Sequence, residues 1–106
     1  MPDGWTVTGA VSPVARGRGL LGRDGLGIRQ GLWLPVRSVH TVGMRFALDL
    51  VWLDGRGGVP RIDRSVGRGR IRTCLAARGG VVEVEAGRGD ALATALTSGL
   101  GPATQV

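Results

Sequence analysis

Residues 40–58 read HTVGMRFALDLVWLDGRGG, and this stretch decides the fold. Its apolar run over 46–53 is the longest in the chain, and it holds one carboxylate, Asp49. Strand periodicity puts Phe46, Leu48, Leu50 and Trp52 on one face and Ala47, Asp49, Val51 and Leu53 on the other. Both faces are apolar except at Asp49, so the strand is expected to be covered on both sides at the centre of the fold. The Gly-rich residues 54–58 then read as a hairpin connection. Residues 59–66 return as the antiparallel partner, with Arg61, Asp63 and Ser65 marking one solvated face.

Working outward, residues 5–11 alternate Trp5, Val7, Gly9, Val11 against Thr6, Thr8, Ala10, which predicts a first strand. Ser12 and Pro13 read as the cap and first position of a short helix, weakened by Gly17, Gly19 and Gly22. The GxGxxG match at 17–22 lacks a strand directly before it and a sustained helix after it, so these glycines read as turn and packing residues. Residues 31–36 give a short strand that Pro35 confines to an edge or a strand end. Residues 38–45 read as a turn-like approach to the central strand. Two further short strands are expected over 71–75 and 81–86, the second with Glu83 and Glu85 on the face of Val81. Asp90 is placed to cap a last helix whose inner face carries Leu92, Ala95 and Leu96, with Gly99 as its stop. The expected fold is therefore mostly β: a single small antiparallel β-barrel-like domain over 1–106 with one or two short helices. Residues 98–106 are expected to be a weakly ordered tail.

Composition narrows the function classes. A chain of 106 residues holds one modest core, and no apolar run is long enough to cross a bilayer. The N-terminus has no basic region followed by an apolar core, and the lone Cys74 cannot form an internal disulfide, so a reduced cytoplasmic setting is expected. The net charge is +6 and every basic residue is arginine. That permits a nucleic-acid partner, but the arginines are spread along the chain with no aromatic residues among them as stacking platforms. One histidine and one cysteine with scattered carboxylates give no metal-ligand pattern, and no cofactor is expected.

The order of motifs resembles the domain of unknown function 192 family over roughly residues 11–96. Its early Arg-x-x-Gly-Leu segment is matched by Arg16, Gly17, Arg18, Gly19 and Leu20. Its Leu-Asp-bearing strand and Asp-Gly hairpin are matched by Leu48, Asp49, Leu50, Val51, Trp52, Leu53, Asp54 and Gly55. Its Leu-Glu-Leu-x-Ala-Gly segment is matched by Val82, Glu83, Val84, Glu85, Ala86 and Gly87. The resemblance implies a small β-barrel with short helices and no settled function. Where many members carry Trp-Met-Lys-Asn-Thr before the central strand, this chain has His40, Thr41, Val42, Gly43 and Met44. The export signal or lipid anchor of many members, and their closing strand, are not recognisable here.

The residues nominated for a polar, ligand-binding site are His40, Thr41, Asp49, Arg16 and Glu83. A carboxylate between Leu48 and Leu50 in a doubly covered strand needs partners, because an unpaired charge out of water costs several kcal/mol. Those expected are backbone N–H groups of the 40–45 loop, the Thr41 hydroxyl and Arg16, the last because it matches the family's early arginine. The reading is a non-catalytic module that binds a ligand or a protein, with Trp33 or Trp5 contributing an exposed apolar patch in the second case. The alternatives are an arginine-rich nucleic-acid-binding domain and a small enzyme using His40, Asp49 and Cys74, whose side chains must then meet in one pocket. No residue is assigned a catalytic role.

Overall fold

A computed structural model describes residues 4–9 and 29–99. In chain order the elements are β1 (Thr6–Gly9), β2 (Gln30–Leu34), β3 (Ser38–His40), β4 (Leu48–Leu53), β5 (Arg61–Val66), β6 (Ile71–Thr73), β7 (Gly80–Glu85) and helix α1 (Gly89–Gly99). Five strands form one sheet in the order β1-β2-β7-β4-β5, and β3 pairs with β6 in a separate two-stranded ribbon. The fold is mostly β and barrel-like, with the two sheets not joined into a closed barrel.

The long apolar run forms β4, between β7 and β5. Leu48, Asp49, Leu50, Val51 and Trp52 are all buried, because the ribbon covers one face of the sheet and α1 covers the other. Leu48, Leu50 and Trp52 pack with Val81, Leu34 and, from the ribbon side, Val39, Met44, Cys74 and Ala77. Val51 packs on the opposite face with Val82, Val84, Trp5, Leu92 and Ala95. The inner face expected for the last helix is the one observed, since Leu92 and Ala95 are buried and Leu96 packs beside them.

The 54–58 hairpin forms as expected: β4 and β5 are antiparallel, with Val51 opposite Ile62 and Trp52 opposite Arg61. Asp54 holds the turn, its Oδ1 accepting from the backbone N–H of Arg56 and of Gly58, each at 2.8 Å. Those two donors keep its carboxyl below the usual range. The strand register shifts between Leu48 and Leu50, and Ser65, within β5 opposite that shift, has a positive φ of 51°.

Two details differ from expectation. Residues 38–45 are not all turn: Ser38–His40 is a strand, because residues 70–74 supply its ladder. The sheet is not wholly antiparallel, since β1 runs parallel to β2. Pro35 follows the end of β2 at Leu34, the strand-end alternative of its two expected placements, and β2 lies between β1 and β7. A side chain at Gly80, whose φ is +88°, would collide with the Leu34 carbonyl and the Trp33 ring, so this turn tolerates only glycine against β2. The expected first helix, the GxGxxG match and the tail beyond Gly99 lie outside the described residues.

Candidate ligand-binding site

The nominated residues are not gathered into one cleft. Their positions follow from the alternation of the strands that carry them. On β3, Val39 points into the core while Ser38 and His40 are exposed on the other side of the ribbon. His40 therefore faces solvent, one layer away from Asp49.

Thr41 is buried and acts as a clamp. Its hydroxyl donates to the Gly67 carbonyl at 2.6 Å and accepts from the Arg70 N–H at 2.9 Å. Its backbone N–H donates to the Arg70 carbonyl at 2.8 Å. Together these bonds tie the turn before β4 to the turn before β6. Valine has nearly the shape of threonine and neither hydrogen bond. Thr41→Val is expected to cost about 1–3 kcal/mol, the range for leaving buried partners unpaired. Urea denaturation measures it, and a variant as stable as the parent would remove Thr41 from this role.

Asp49 sits on the helix side of the sheet, opposite Val84. Its described partners are backbone N–H groups of β5 and of the turn into α1, rather than those of the 40–45 loop or the Thr41 hydroxyl. Oδ1 accepts from Ser65 N–H at 2.8 Å, and Oδ2 from Gly89 N–H at 2.8 Å and Gly87 N–H at 3.1 Å. Asp49 thus holds the irregular end of β5 and supplies the acceptor at the N-terminus of α1. Asp90, expected to cap that helix, lies in its first turn and pairs with Arg64 instead, at 2.6 and 2.9 Å. That exposed guanidinium draws the Asp90 carboxyl below its usual range. Gly89 fits this close approach, since a Cβ there would lie 2.8 Å from that of Asp49. Arg16 lies outside the described residues.

The constellation required by an enzyme reading is not assembled. His40 is exposed on the ribbon, Cys74 is buried between ribbon and sheet, and Asp49 is on the far face of the sheet. Nor do the tryptophans form an exposed patch. Trp5 is buried, and Trp33 is half-buried with its indole N–H donating to the Gly79 carbonyl at 2.8 Å. Among the described residues, no group of three or more His, Cys, Asp or Glu is placed to hold a metal ion. No helix among them is long and apolar enough to cross a membrane.

Glu83 differs from the rest. It is in the middle of β7, the central strand, with Leu32 of β2 and Leu50 of β4 directly opposite on either side. Residues opposite one another across antiparallel strands share a face, so its carboxyl emerges among apolar side chains on the ribbon side of the sheet. Only 6% of the residue is accessible. Burial raises its carboxyl from the usual 4.5 to about 7, and among the described residues no charge or hydrogen bond offsets it.

Next to Leu50 on that face is Asp63. It accepts from the Trp52 indole at 3.0 Å and from Arg61 Nη2 at 2.8 Å. The same Nη2 donates to the Thr73 carbonyl at 2.7 Å, joining the main sheet to the ribbon, and the guanidinium carbon lies 5.5 Å from the centre of the Trp52 ring. Asp63 thus has two described donors, whereas Glu83 has none among the described residues. Two signals in the sequence pointed to Glu83: a carboxylate alternating with valines, and its match to a family motif. The burial that sets its chemistry comes from strand order.

The fold has solved counterparts. A "putative transcription regulator" from Sinorhizobium meliloti 1021 is 23% identical, with a TM-score of 0.72 over 83% of this chain and 74% of that one. A protein of unknown function from Novosphingobium aromaticivorans DSM 12444 is 19% identical, with a TM-score of 0.71 over 92% of this chain and 71% of that one. At these identities the likeness shows the fold alone. No curated protein matches the chain. The DUF192 family, described as uncharacterized ACR, matches residues 3–99. The match covers nearly the whole chain, and the chain belongs to the DUF192 family.

Proposed function

We propose that the protein is a non-catalytic ligand-binding β domain whose recognition group is the Glu83 carboxyl. The observation that carries this reading is the burial of that carboxyl among Leu32, Leu50 and their neighbours, with no donor to it among the described residues. A buried polar group without a partner is costly, and a ligand that supplies the missing donor recovers that cost. The apolar surroundings suit a ligand with an aliphatic body, and the carboxyl suits one N–H or ammonium donor at its end. Binding an ammonium group favours the ionised carboxylate, so it releases the proton that Glu83 holds near neutral pH.

The test uses primary alkylamines of increasing chain length, with the matching alkanes' alcohols as controls, and follows thermal unfolding at neutral pH. The parent is expected to gain stability with amines more than with alcohols, increasingly with chain length, while Glu83→Gln is expected not to respond. Equal responses of parent and variant, or none from the parent, would remove Glu83 as the recognition group.

A further inference from the structure

We propose that the outward face of the β3–β6 ribbon docks a second copy of this chain in a weak two-fold dimer, independently of the Glu83 reading. The ladder of the ribbon sorts its side chains by face. Ser38 pairs with Thr73 and His40 with Ile71, and all four residues are exposed. Val39 pairs with Arg72. The ladder continues one step at each end, where Cys74 N–H donates to the Arg37 carbonyl and Thr41 N–H to the Arg70 carbonyl, both at 2.8 Å. Alternation therefore puts Arg37, Arg70 and Arg72 on the core-facing side, with Val39, Thr41 and Cys74. The outward positions, Ser38, His40, Ile71 and Thr73, include no arginine and no carboxylate.

Apolar exposure gathers at the same ribbon. Among the described residues, the exposed large apolar side chains are Val42, Ile71 and Leu75, at 59%, 69% and 77% accessible. Ile71 is on the outward face itself. Val42 follows the buried Thr41 at one end, and Leu75 follows the buried Cys74 at the other. Between the ends, the Ser38 and Thr73 hydroxyls lie 2.9 Å apart and bond each other. This pattern is self-complementary. A two-fold axis running across the strands, midway between the two outward rungs, lays the His40–Ile71 rung of one copy over the Ser38–Thr73 rung of the other. It also brings Val42 of one copy beside Leu75 of the other. Polar groups then meet polar groups and apolar groups meet apolar ones in both halves at once, as an isologous interface requires.

Charge selects the occupant. The chain carries a net charge of +6, so two copies repel one another over most of their surface. The outward face is where they approach without taking a guanidinium out of water. An acidic protein or a phosphate-bearing ligand finds no arginine on this face to pair with. Ser38, His40 and Thr73 interrupt the apolar groups, so they form no continuous wedge of the kind a membrane surface takes. Area sets the strength. Six exposed side chains offer about 500 Å² per copy, which puts a pair near the roughly 1,200 Å² limit below which complexes are weak and transient.

Sedimentation velocity of the full chain over a concentration series tests the proposal. The parent is expected to be half dimeric near about 0.1 mM, as befits an interface of this size. Its association is expected to tighten a few-fold between about 50 and 500 mM salt, because salt screens the repulsion between two positive chains. Ile71→Arg sets a guanidinium in the face of each copy and is expected to weaken association at least about 10-fold. Leu75→Arg, in a turn outside the strand, is expected to do the same and guards against an effect of Ile71→Arg on folding. Thr94→Arg, exposed on α1, adds the same charge elsewhere and is expected to change association less than about two-fold. A parent that stays monomeric at the highest concentration, or association that weakens with salt, would overturn the proposal. So would equal losses from Thr94→Arg and Ile71→Arg, or a monomer that binds phosphatidylserine vesicles through Ile71.

Discussion

Replacing Asp49 with alanine is expected to destabilise the protein by roughly 3–5 kcal/mol, the range for removing one side of a buried charged interaction. Three backbone N–H groups, those of Ser65, Gly87 and Gly89, lose their acceptor together. They belong to the end of β5 and to the start of α1, so one substitution loosens two elements that touch the same strand from different sides. Asparagine is a finer probe. Its single carbonyl oxygen can face Gly87 and Gly89, but its amide then presents donors to the Ser65 N–H. Asp49→Asn is thus expected to cost about half as much as Asp49→Ala. Chemical denaturation gives the order, and amide exchange gives the location: protection is expected to fall first at Ser65, Gly87 and Gly89. An alanine variant as stable as the parent, with those amides still protected, would contradict the structure.

The second large effect is a pH dependence from Glu83. Its folded-state value of about 7 lies above the ordinary 4.5. Below about pH 4.5 both the folded and unfolded chains hold the proton. Between 4.5 and about 7 the unfolded chain gives it up first, so the native state binds more protons and stability falls as pH rises. Above about 7 both forms are ionised and the loss is complete, at roughly 3 kcal/mol from this residue. Glu83→Gln does not titrate, so its stability relative to the parent is expected to rise across the same window. Asp54 and Asp90, whose values are lowered, act in the opposite sense at more acid pH and cancel in that difference. Urea midpoints of parent and variant from pH 4 to 8 decide the matter. A constant difference across that range would show that burial does not perturb Glu83.

How much of this was legible beforehand depended on the range of each interaction. The sequence by itself determined β4, its hairpin with β5 and the inner face of the last helix. A period of two over Leu48, Leu50 and Trp52, an Asp-Gly turn, and Leu92 three residues before Ala95 are local patterns that burial simply reinforces. It also showed that Asp49 would need partners to stay ionised, because an unpaired charge inside an apolar run is costly. Which partners was a tertiary decision. The donors at Ser65, Gly87 and Gly89 belong to backbone brought close by the β5 irregularity and the β7–α1 turn, and a backbone N–H carries no signature in the residue that bears it. Likewise Asp90 has the identity of a helix cap, yet Asp49 takes that place because strand order sets it 2.8 Å from Gly89 N–H while Arg64 draws Asp90 away. The ribbon escaped the sequence reading because three-residue strands have too few positions to show a period. Their pairing exists only once residues 70–74 lie beside 37–41. Glu83 joins the two levels: its alternation with valines was visible, but its chemistry is set by Leu32 and Leu50, which reach it from strands distant in the chain.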